Sequence, residues 1–152
     1  WRFPTFFSEL ISNINLIGYR ARGMRNYKEE YYQDRLTKVD VLHGCFFLGR
    51  INDFKKIHYF DPRTFLYYEE IILAKKAEKN HLERYVDTSV SVIHAESISV
   101  RKSFKKVQKY KIIKESQKYY AKNYMNLNFL EYGLIRLFYY ISLFFAYLTF
   151  WI

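Results

Sequence analysis

Apolar residues recur at the spacing of a helix in several segments of this 152-residue chain. In the first segment they fall three or four positions apart, which places them on one helical face. A proline and a threonine stand just ahead of that segment, as is common where a helix starts. The pattern predicts helices at residues 6–17, 50–56, 69–80, 99–123 and 129–151.

A second pattern, the alternation of apolar and polar residues, predicts a strand at residues 85–94. One or two further strands are predicted within residues 37–49, around Gly44, and residues 18–33 are predicted to be an irregular connection. Together these elements indicate an α/β fold. Its short mixed sheet would be accompanied by helices, and two long helices would end the chain.

The composition is typical of a folded protein. Half of the residues are hydrophobic and 21% are aromatic, with only five glycines and two prolines, which argues against disorder or low complexity. The one cysteine, Cys45, excludes a disulfide within the chain and fits a reducing compartment. Because it lies in the apolar run 45–48, we predict that it is buried. The chain opens at Trp1 without a methionine or a signal peptide, so we expect the downstream piece of a longer protein.

An acidic pair, Glu69 and Glu70, follows a stretch rich in aromatic residues and opens a predicted helix. A carboxylate beside apolar surface tends to have a raised pKa, which a general base needs. Acids at a helix start also stabilise the helix dipole without any catalytic role, and the spacing alone fits both interpretations. The aromatic residues are Tyr59, Phe60, Phe65, Tyr67 and Tyr68.

The acidic pair belongs to an ordered series of residues between positions 39 and 99. The series consists of Gly44, Phe46-Phe47-Leu48, Phe54, Phe60-Asp61, Phe65-Leu66-Tyr67, Glu69-Glu70, Leu73, His94 and Ser99. Its order and spacing resemble the acceptor-side motif of family 2 inverting glycosyltransferases of the GT-A fold, especially rhamnosyltransferase-like bacterial enzymes that build cell-surface polysaccharides. Two positions depart from that motif: Glu70 stands where Asp is commoner, and Ile72 stands where many members carry another Asp.

The resemblance implies transfer of a sugar, with inversion, from a nucleotide-sugar to a glycan or lipid-linked acceptor. Glu70 would be the general base, and Glu69 would orient the acceptor or the loop. His94 would face the donor diphosphate or its divalent metal ion, Mn or Mg. The substrate-binding residues would be Gly44, Asp61, Phe65, Tyr67 and Ser99.

Enzymes of this family carry a nucleotide-binding half ahead of the acceptor-side motif, and the sequence shows no counterpart of it. None of the five aspartates forms an Asp-x-Asp pair, and no Gly-rich phosphate loop occurs. Residues 1–99 are therefore predicted to be the acceptor-side part of a GT-A domain. We expect this chain by itself to be inactive and to hold no cofactor tightly.

Positive charge is concentrated towards the end of the chain. The net charge is +10, and residues 101–122 carry nine Lys or Arg against Glu115 alone. An apolar run, residues 134–152, follows and is interrupted only by Arg136. We predict a second unit over residues 100–152, a basic amphipathic helix plus an apolar helix. This pair is typical of a peripheral membrane element, and it equally fits a solvated basic face with a core or homo-oligomer helix.

A basic chain rich in tyrosine also permits nucleic-acid binding. A basic face alone is non-specific, however, and no helix-turn-helix, zinc-finger or RNP-type motif occurs, so no nucleic-acid partner is expected. The alternative to an enzyme is a non-catalytic basic helical module that binds membranes or nucleic acid. The expected location is the cytoplasm, at the inner face of the cell membrane.

Overall fold

The computed structural model of this protein describes residues 1–14, 23, 25–93 and 104–150. These residues form a mixed structure of helices and a small two-stranded sheet that ends in two long helices, in keeping with the predicted α/β class. The elements in chain order are α1 (Phe6–Ser12), a 3-10 turn (Glu29–Tyr31), β1 (Leu36–Lys38), α2 (Ile51–Lys56), α3 (Glu69–Lys79), β2 (Tyr85–Asp87), α4 (Lys106–Tyr124) and α5 (Phe129–Phe150).

Two helices begin with reciprocal caps that satisfy their first backbone amides. At α1 the Ser8 amide donates to the Thr5 hydroxyl at 3.2 Å, and the Thr5 amide donates to the Ser8 hydroxyl at 2.9 Å. At α5 the Glu131 amide donates to Asn128 Oδ1 and the Asn128 amide donates to the Glu131 carboxylate, both at 2.9 Å. The predicted starts at residues 6 and 129 are therefore confirmed.

The predicted helices 50–56 and 69–80 are confirmed to within one residue at each end, as α2 and α3. The helix predicted over 99–123 begins later, because Lys105 has an extended backbone and its amide donates to Gln108 Oε1 at 3.0 Å. The first predicted helix, 6–17, ends at Ser12 in the described residues. Residues 15–17 of this first prediction lie outside the described ranges, and so do residues 99–103 of the later one.

The sheet is smaller than the alternation of residues predicts. Within the described ranges β1 and β2 pair antiparallel, with Thr37 opposite Val86. The strand predicted over 85–94 is wrong over residues 88–93, because Asp87 Oδ1 accepts a hydrogen bond from the Ser89 amide at 2.9 Å and closes a turn. The strands predicted within 37–49 are likewise wrong beyond Lys38, where the chain is irregular.

The hydrophobic core forms where α3 packs against α4. Ile71, Ile72 and Ala74 from α3 are buried together with Val41 and Tyr120. The spacing of the α3 residues points one side of that helix inward, so its lysines lie at or near the surface. This packing fixes the position of the first turn of α3, which carries the acidic pair.

A buried polar network links α1, α4 and the start of α3. The Glu9 carboxylate accepts hydrogen bonds from the Tyr68 hydroxyl at 2.8 Å and from Gln117 Nε2 at 2.6 Å. Lys114 is buried beside it and donates to Asn13 Oδ1 at 2.8 Å and to Gln117 Oε1 at 3.1 Å. The basic face predicted for α4 is therefore interrupted at Lys114, since that ammonium group is used inside the fold.

The apolar run at Cys45 is at the surface, contrary to the sequence prediction. Cys45 is exposed, and so are Phe46 and Leu48. The prediction is wrong because the run belongs to an irregular connection and not to a buried strand. The remaining aromatic residue of the run, Phe47, is half-buried and stacks on Phe54 with ring centres 6.0 Å apart.

Candidate functional site

The acidic pair follows an unusual backbone turn. Tyr67 and Tyr68 both adopt left-handed backbone conformations, with φ of 68° and 66°, and α3 begins at the next residue. A bulky residue in this region costs about 1–2 kcal/mol and persists only where its surroundings enforce it. The enforcing contacts are the Tyr68–Glu9 hydrogen bond and a bond of 2.8 Å from the Ser116 hydroxyl to the Leu66 carbonyl. We call residues 66–68 the elbow.

Glu70 lies against the backbone at Gly44. A methyl group in place of the Gly44 hydrogen would come within 2.6 Å of Glu70 Oε1 and 2.9 Å of its Cγ. No side chain larger than hydrogen fits there unless Glu70 moves. The predicted substrate-site residue Gly44 and the predicted base are thus brought together by the fold.

Glu70 also lines a cavity of about 200 Å³ between α2, α3 and the loop before α2. The wall of this cavity is mostly apolar, and a few charged groups converge on it. Such a combination is typical of ligand-binding clefts. The apolar wall includes Leu42, Phe47, Leu48, Phe54, Ile57, Leu73, Ala74, Ala77 and Leu82, and the charged groups are Asp53, Glu70, Glu83 and Arg84.

Glu69 has the less accessible carboxylate of the pair. It is half-buried, and its Oε2 is buried without a hydrogen-bond partner among the residues that the structure describes. Burial, and to a smaller extent the charge of Glu70, raises the pKa of Glu69. A raised pKa, which the sequence predicted for a carboxylate of the acidic pair, is thus found at Glu69. Glu70 is the carboxylate that lines the cavity.

Asp61 is buried and its oxygens are fully engaged. Arg63 Nε donates to Oδ1 at 2.9 Å, the Tyr119 hydroxyl donates to Oδ2 at 2.7 Å, and the Tyr124 hydroxyl also donates to Oδ2. Burial raises the pKa of Asp61, but these hydrogen bonds outweigh burial and hold the pKa well below its usual range. Asp61 therefore fastens the loop before the elbow to α4.

The aromatic residues predicted for the site lie at the surface near the elbow. Phe65 is 76% exposed and its ring meets that of Phe104 edge-on at 6.1 Å. Lys109 Nζ lies 5.9 Å from the centre of the Tyr67 ring. Phe65 and Tyr67 thus stand close before the acidic pair in the chain, but neither of their rings lines the cavity at Glu70.

The predicted metal residue His94 and substrate residue Ser99 lie outside the described ranges. Within residues 1–14, 23, 25–93 and 104–150, no group of three or more His, Cys, Asp or Glu is arranged to hold a metal ion. The described residues thus do not fit the divalent ion that the resemblance implies. The assignment of a metal to His94 stays a prediction.

Three residues that position the site carry no clear sign of that role in the sequence: Glu9, Ser116 and Gln117. All are buried, and together they hold the elbow through Tyr68 and Leu66. The one signal available was Glu9 itself, an acid among apolar residues in the first predicted helix. Its partner on α4 is distant in sequence, and only the packing of the helices brings it near.

Comparisons of this chain with protein-family models, with curated proteins and with solved structures found no match. The functional interpretation consequently depends on the geometry of the elbow, the acidic pair and the cavity.

Proposed function

We propose that this chain is the acceptor-side part of an inverting family 2 glycosyltransferase with a GT-A fold. The observation that carries the proposal is the position of Glu70: its carboxylate sits at an apolar cavity, against Gly44 and directly after a strained elbow. Strained backbone that the surrounding structure enforces is found preferentially at functional sites. The resemblance of residues 39–99 to the family's acceptor-side motif supports the same assignment.

The proposed reaction needs a base near the acceptor hydroxyl. The hydroxyl oxygen forms a bond to the anomeric carbon of the donor sugar, and the bond from that carbon to the diphosphate oxygen breaks. The hydroxyl proton passes to the Glu70 carboxylate, and the nucleoside diphosphate leaves with the electron pair. Glu70 suits this step because it reaches the cavity from a rigid helix start, which keeps its oxygens in place.

Glu69 has a supporting part in this proposal. One oxygen of Glu69 is buried just after the elbow and has no hydrogen-bond partner among the described residues, so its capacity to accept a hydrogen bond is open. Burial raises the pKa of Glu69, and the nearby charge of Glu70 adds to that effect. Glu69 would orient the acceptor or the loop, and Glu70 remains the group that meets the acceptor.

The donor side is proposed to lie elsewhere. A nucleotide-binding half, together with His94, would hold the nucleotide-sugar and its divalent ion. The described residues would supply the acceptor cavity and the base.

Replacing Glu70 by Gln in the full-length protein tests the proposal. The amide keeps the size of the side chain and cannot accept the proton, so turnover should fall by roughly 10²–10⁴-fold. Release of nucleoside diphosphate from a panel of nucleotide-sugars, with polysaccharide precursors as acceptors, measures the rate. Circular dichroism should show an unchanged fold.

Glu78→Gln is the matched control, because Glu78 is an exposed acid on the same helix and lies away from the cavity lining. Its turnover should stay within about two-fold of the unmodified protein, since exposed substitutions rarely disturb a distant site. A Glu70→Gln protein within a few-fold of the unmodified rate would overturn the assignment of Glu70. A protein that releases no nucleoside diphosphate from any donor would overturn the proposed reaction class.

A further inference from the structure

The outer side of α5 is an apolar surface that none of the described residues covers. On this helix, ten large hydrophobic residues are between 41% and 89% exposed. At 100° per residue those at the centre of the surface lie on one side of the helix, opposite the side that packs inward. They are Leu137, Tyr140, Ile141, Phe144, Phe145 and Leu148. A continuous apolar surface of this extent on a soluble domain marks an interaction site.

The inner side of α5 is fixed to the protein. Ile135, Tyr139, Ser142 and Ala146 are buried, and the helix packs along α4 and α1. Residues 125–128 connect α4 to α5 by a short loop, so the two helices run antiparallel as neighbours. The apolar surface is therefore presented along the whole helix on a rigid support.

By length and composition α5 could cross a membrane, over Phe129–Thr149. In the observed packing it cannot do so without α4, which lies beside it and carries exposed charges, among them Lys111, Glu115 and Lys122. Charges in the hydrocarbon of a bilayer are costly. A membrane could accept α5 only lying in the plane of its surface, with α4 above it.

Positive charge accompanies the apolar surface. Lys118 Nζ lies 4.6 Å from the ring centre of Tyr139 and 6.0 Å from that of exposed Tyr140. Arg136, also exposed, is the one basic residue of α5. Packed helices lie about 8–10 Å apart, so exposed lysines of α4 come within roughly one Debye length of any surface that α5 touches.

We propose that α4 and α5 form a docking surface for an anionic lipid bilayer. α5 lies in the interface with Leu137, Phe144 and Leu148 inserted, and the cations of α4 and Arg136 face the lipid headgroups. Tyr140 sits at the boundary, where its ring is in the apolar layer and its hydroxyl in water. This inference does not depend on the glycosyl-transfer proposal.

Flotation with vesicles tests the docking. The protein should bind vesicles of phosphatidylcholine with phosphatidylglycerol, bind phosphatidylcholine alone more weakly, and lose affinity as salt is raised. Phe144→Asp should weaken binding by roughly 10- to 100-fold, the worth of burying one large apolar side chain. Phe46→Asp is the matched control, because Phe46 is 59% exposed but lies in the loop before α2, outside both the proposed surface and the cavity lining.

A charge series tests the electrostatic part. Lys118→Gln with Lys122→Gln should weaken binding to the anionic vesicles by up to roughly 5-fold for each lysine removed, because Lys118 lies beside Tyr140 and Lys122 follows it one turn later on the same side of α4. Lys55→Gln with Lys79→Gln removes the same charge from α2 and α3 and should change binding less. Equal losses for both pairs would mean that net charge alone attracts the protein, which would overturn a specific surface on α4 and α5.

Depth measurement tests the in-plane orientation. Nitroxide labels at Leu137→Cys, Phe144→Cys and Leu148→Cys, each in a Cys45→Ser background, should report nearly the same depth in anionic vesicles. A spanning helix would spread them over roughly 16 Å at 1.5 Å per residue, and that result would overturn the proposal. So would absence of vesicle binding together with self-association through α5, or binding of labelled oligonucleotide that competes with the vesicles.

Discussion

Two pairs of carboxylates in this protein differ in how their oxygens are used. One pair is Glu9 and Asp61, and the other is the acidic pair, Glu69 and Glu70. Glu9 and Asp61 are buried, and their oxygens accept hydrogen bonds from tyrosine, glutamine or arginine side chains. Glu69 has a buried oxygen with no partner in the described part of the chain, and Glu70 faces an apolar cavity.

The difference separates carboxylates that hold the fold together from the acidic pair, of which one oxygen has no partner among the described residues. A buried acceptor without a partner is destabilising and calls for an explanation, and the proposed acceptor site supplies one for Glu69. The satisfied pair anchors the loop and the elbow, and the acidic pair stands on the structure thus anchored. Removing a member of each pair should therefore affect different properties.

The largest effect on stability is expected for Glu9→Ala. This change leaves the Tyr68 hydroxyl without its acceptor and removes one of the three acceptors of Gln117 Nε2, so the free energy of unfolding should fall by about 3 kcal/mol. Urea unfolding followed by circular dichroism measures it. Tyr68→Phe, which removes only the hydroxyl, should cost about 1 kcal/mol. A loss below about 1 kcal/mol for Glu9→Ala would contradict its assigned anchoring role.

Asp61→Asn should lower the free energy of unfolding by about 2 kcal/mol at neutral pH, because hydrogen bonds to a charged acceptor are lost. The folded pKa of Asp61 lies below its ordinary value of 3.8. The stabilisation is therefore complete above that value and is lost as the pH falls below it. Unfolding curves across acid pH should show the two proteins converging. Asp87→Asn is the control and should have a smaller effect, because Asp87 is only half-buried and its partner Arg35 is exposed.

Gly44→Ala tests the acidic pair without altering either acid. The added methyl group displaces the Glu70 carboxylate, and misplacement of the proposed base should slow turnover about 10-fold, which corresponds to ~1.4 kcal/mol. The free energy of unfolding should hardly change, because the side chain of Glu70 can move. A normal rate in Gly44→Ala would show that the position of Glu70 does not matter for turnover.

The smallest effect on stability is expected for Glu69→Gln. Its raised pKa means that ionised Glu69 opposes folding above its ordinary pKa of 4.5 and that the opposition disappears below it. Loss of the charge also removes a favourable helix-dipole interaction of about 0.3–1 kcal/mol, so the two effects nearly cancel. Thermal unfolding at neutral pH should thus shift little. A large destabilisation would place Glu69 with the satisfied carboxylates.

The helices could be predicted from the sequence because their signals are local. The acids at residues 69 and 70 and the lysines of the last turn mark both ends of α3, and Asn128 with Glu131 marks the start of α5. The strand over 85–94 could not be judged in this way, because a strand exists only where a partner pairs with it. β1 begins at Leu36, opposite Asp87, and the chain bends at residues 34–35, so in the described residues β2 has no strand partner beyond the hydrogen bond from the Thr88 amide to the Arg35 carbonyl.

The site was predictable in part for the same reason. The acidic pair and Gly44 were found from their order in the chain, and the contact between Gly44 and Glu70 agrees with grouping them. The left-handed conformations of Tyr67 and Tyr68 carry no sequence signal, because tyrosine disfavours them and only tertiary contacts impose them. The sequence likewise could not indicate that Glu70 and not Glu69 would face the cavity, because that depends on how α3 packs.

The exposed position of Cys45 gives this protein a built-in reporter. It is the chain's one thiol, and it directly follows the glycine that touches Glu70. A fluorophore attached there by maleimide chemistry would need no engineered cysteine and would sit beside the glycine that contacts the proposed base. Its emission would allow small acceptor sugars and lipid-linked glycans to be screened for binding before any donor is known.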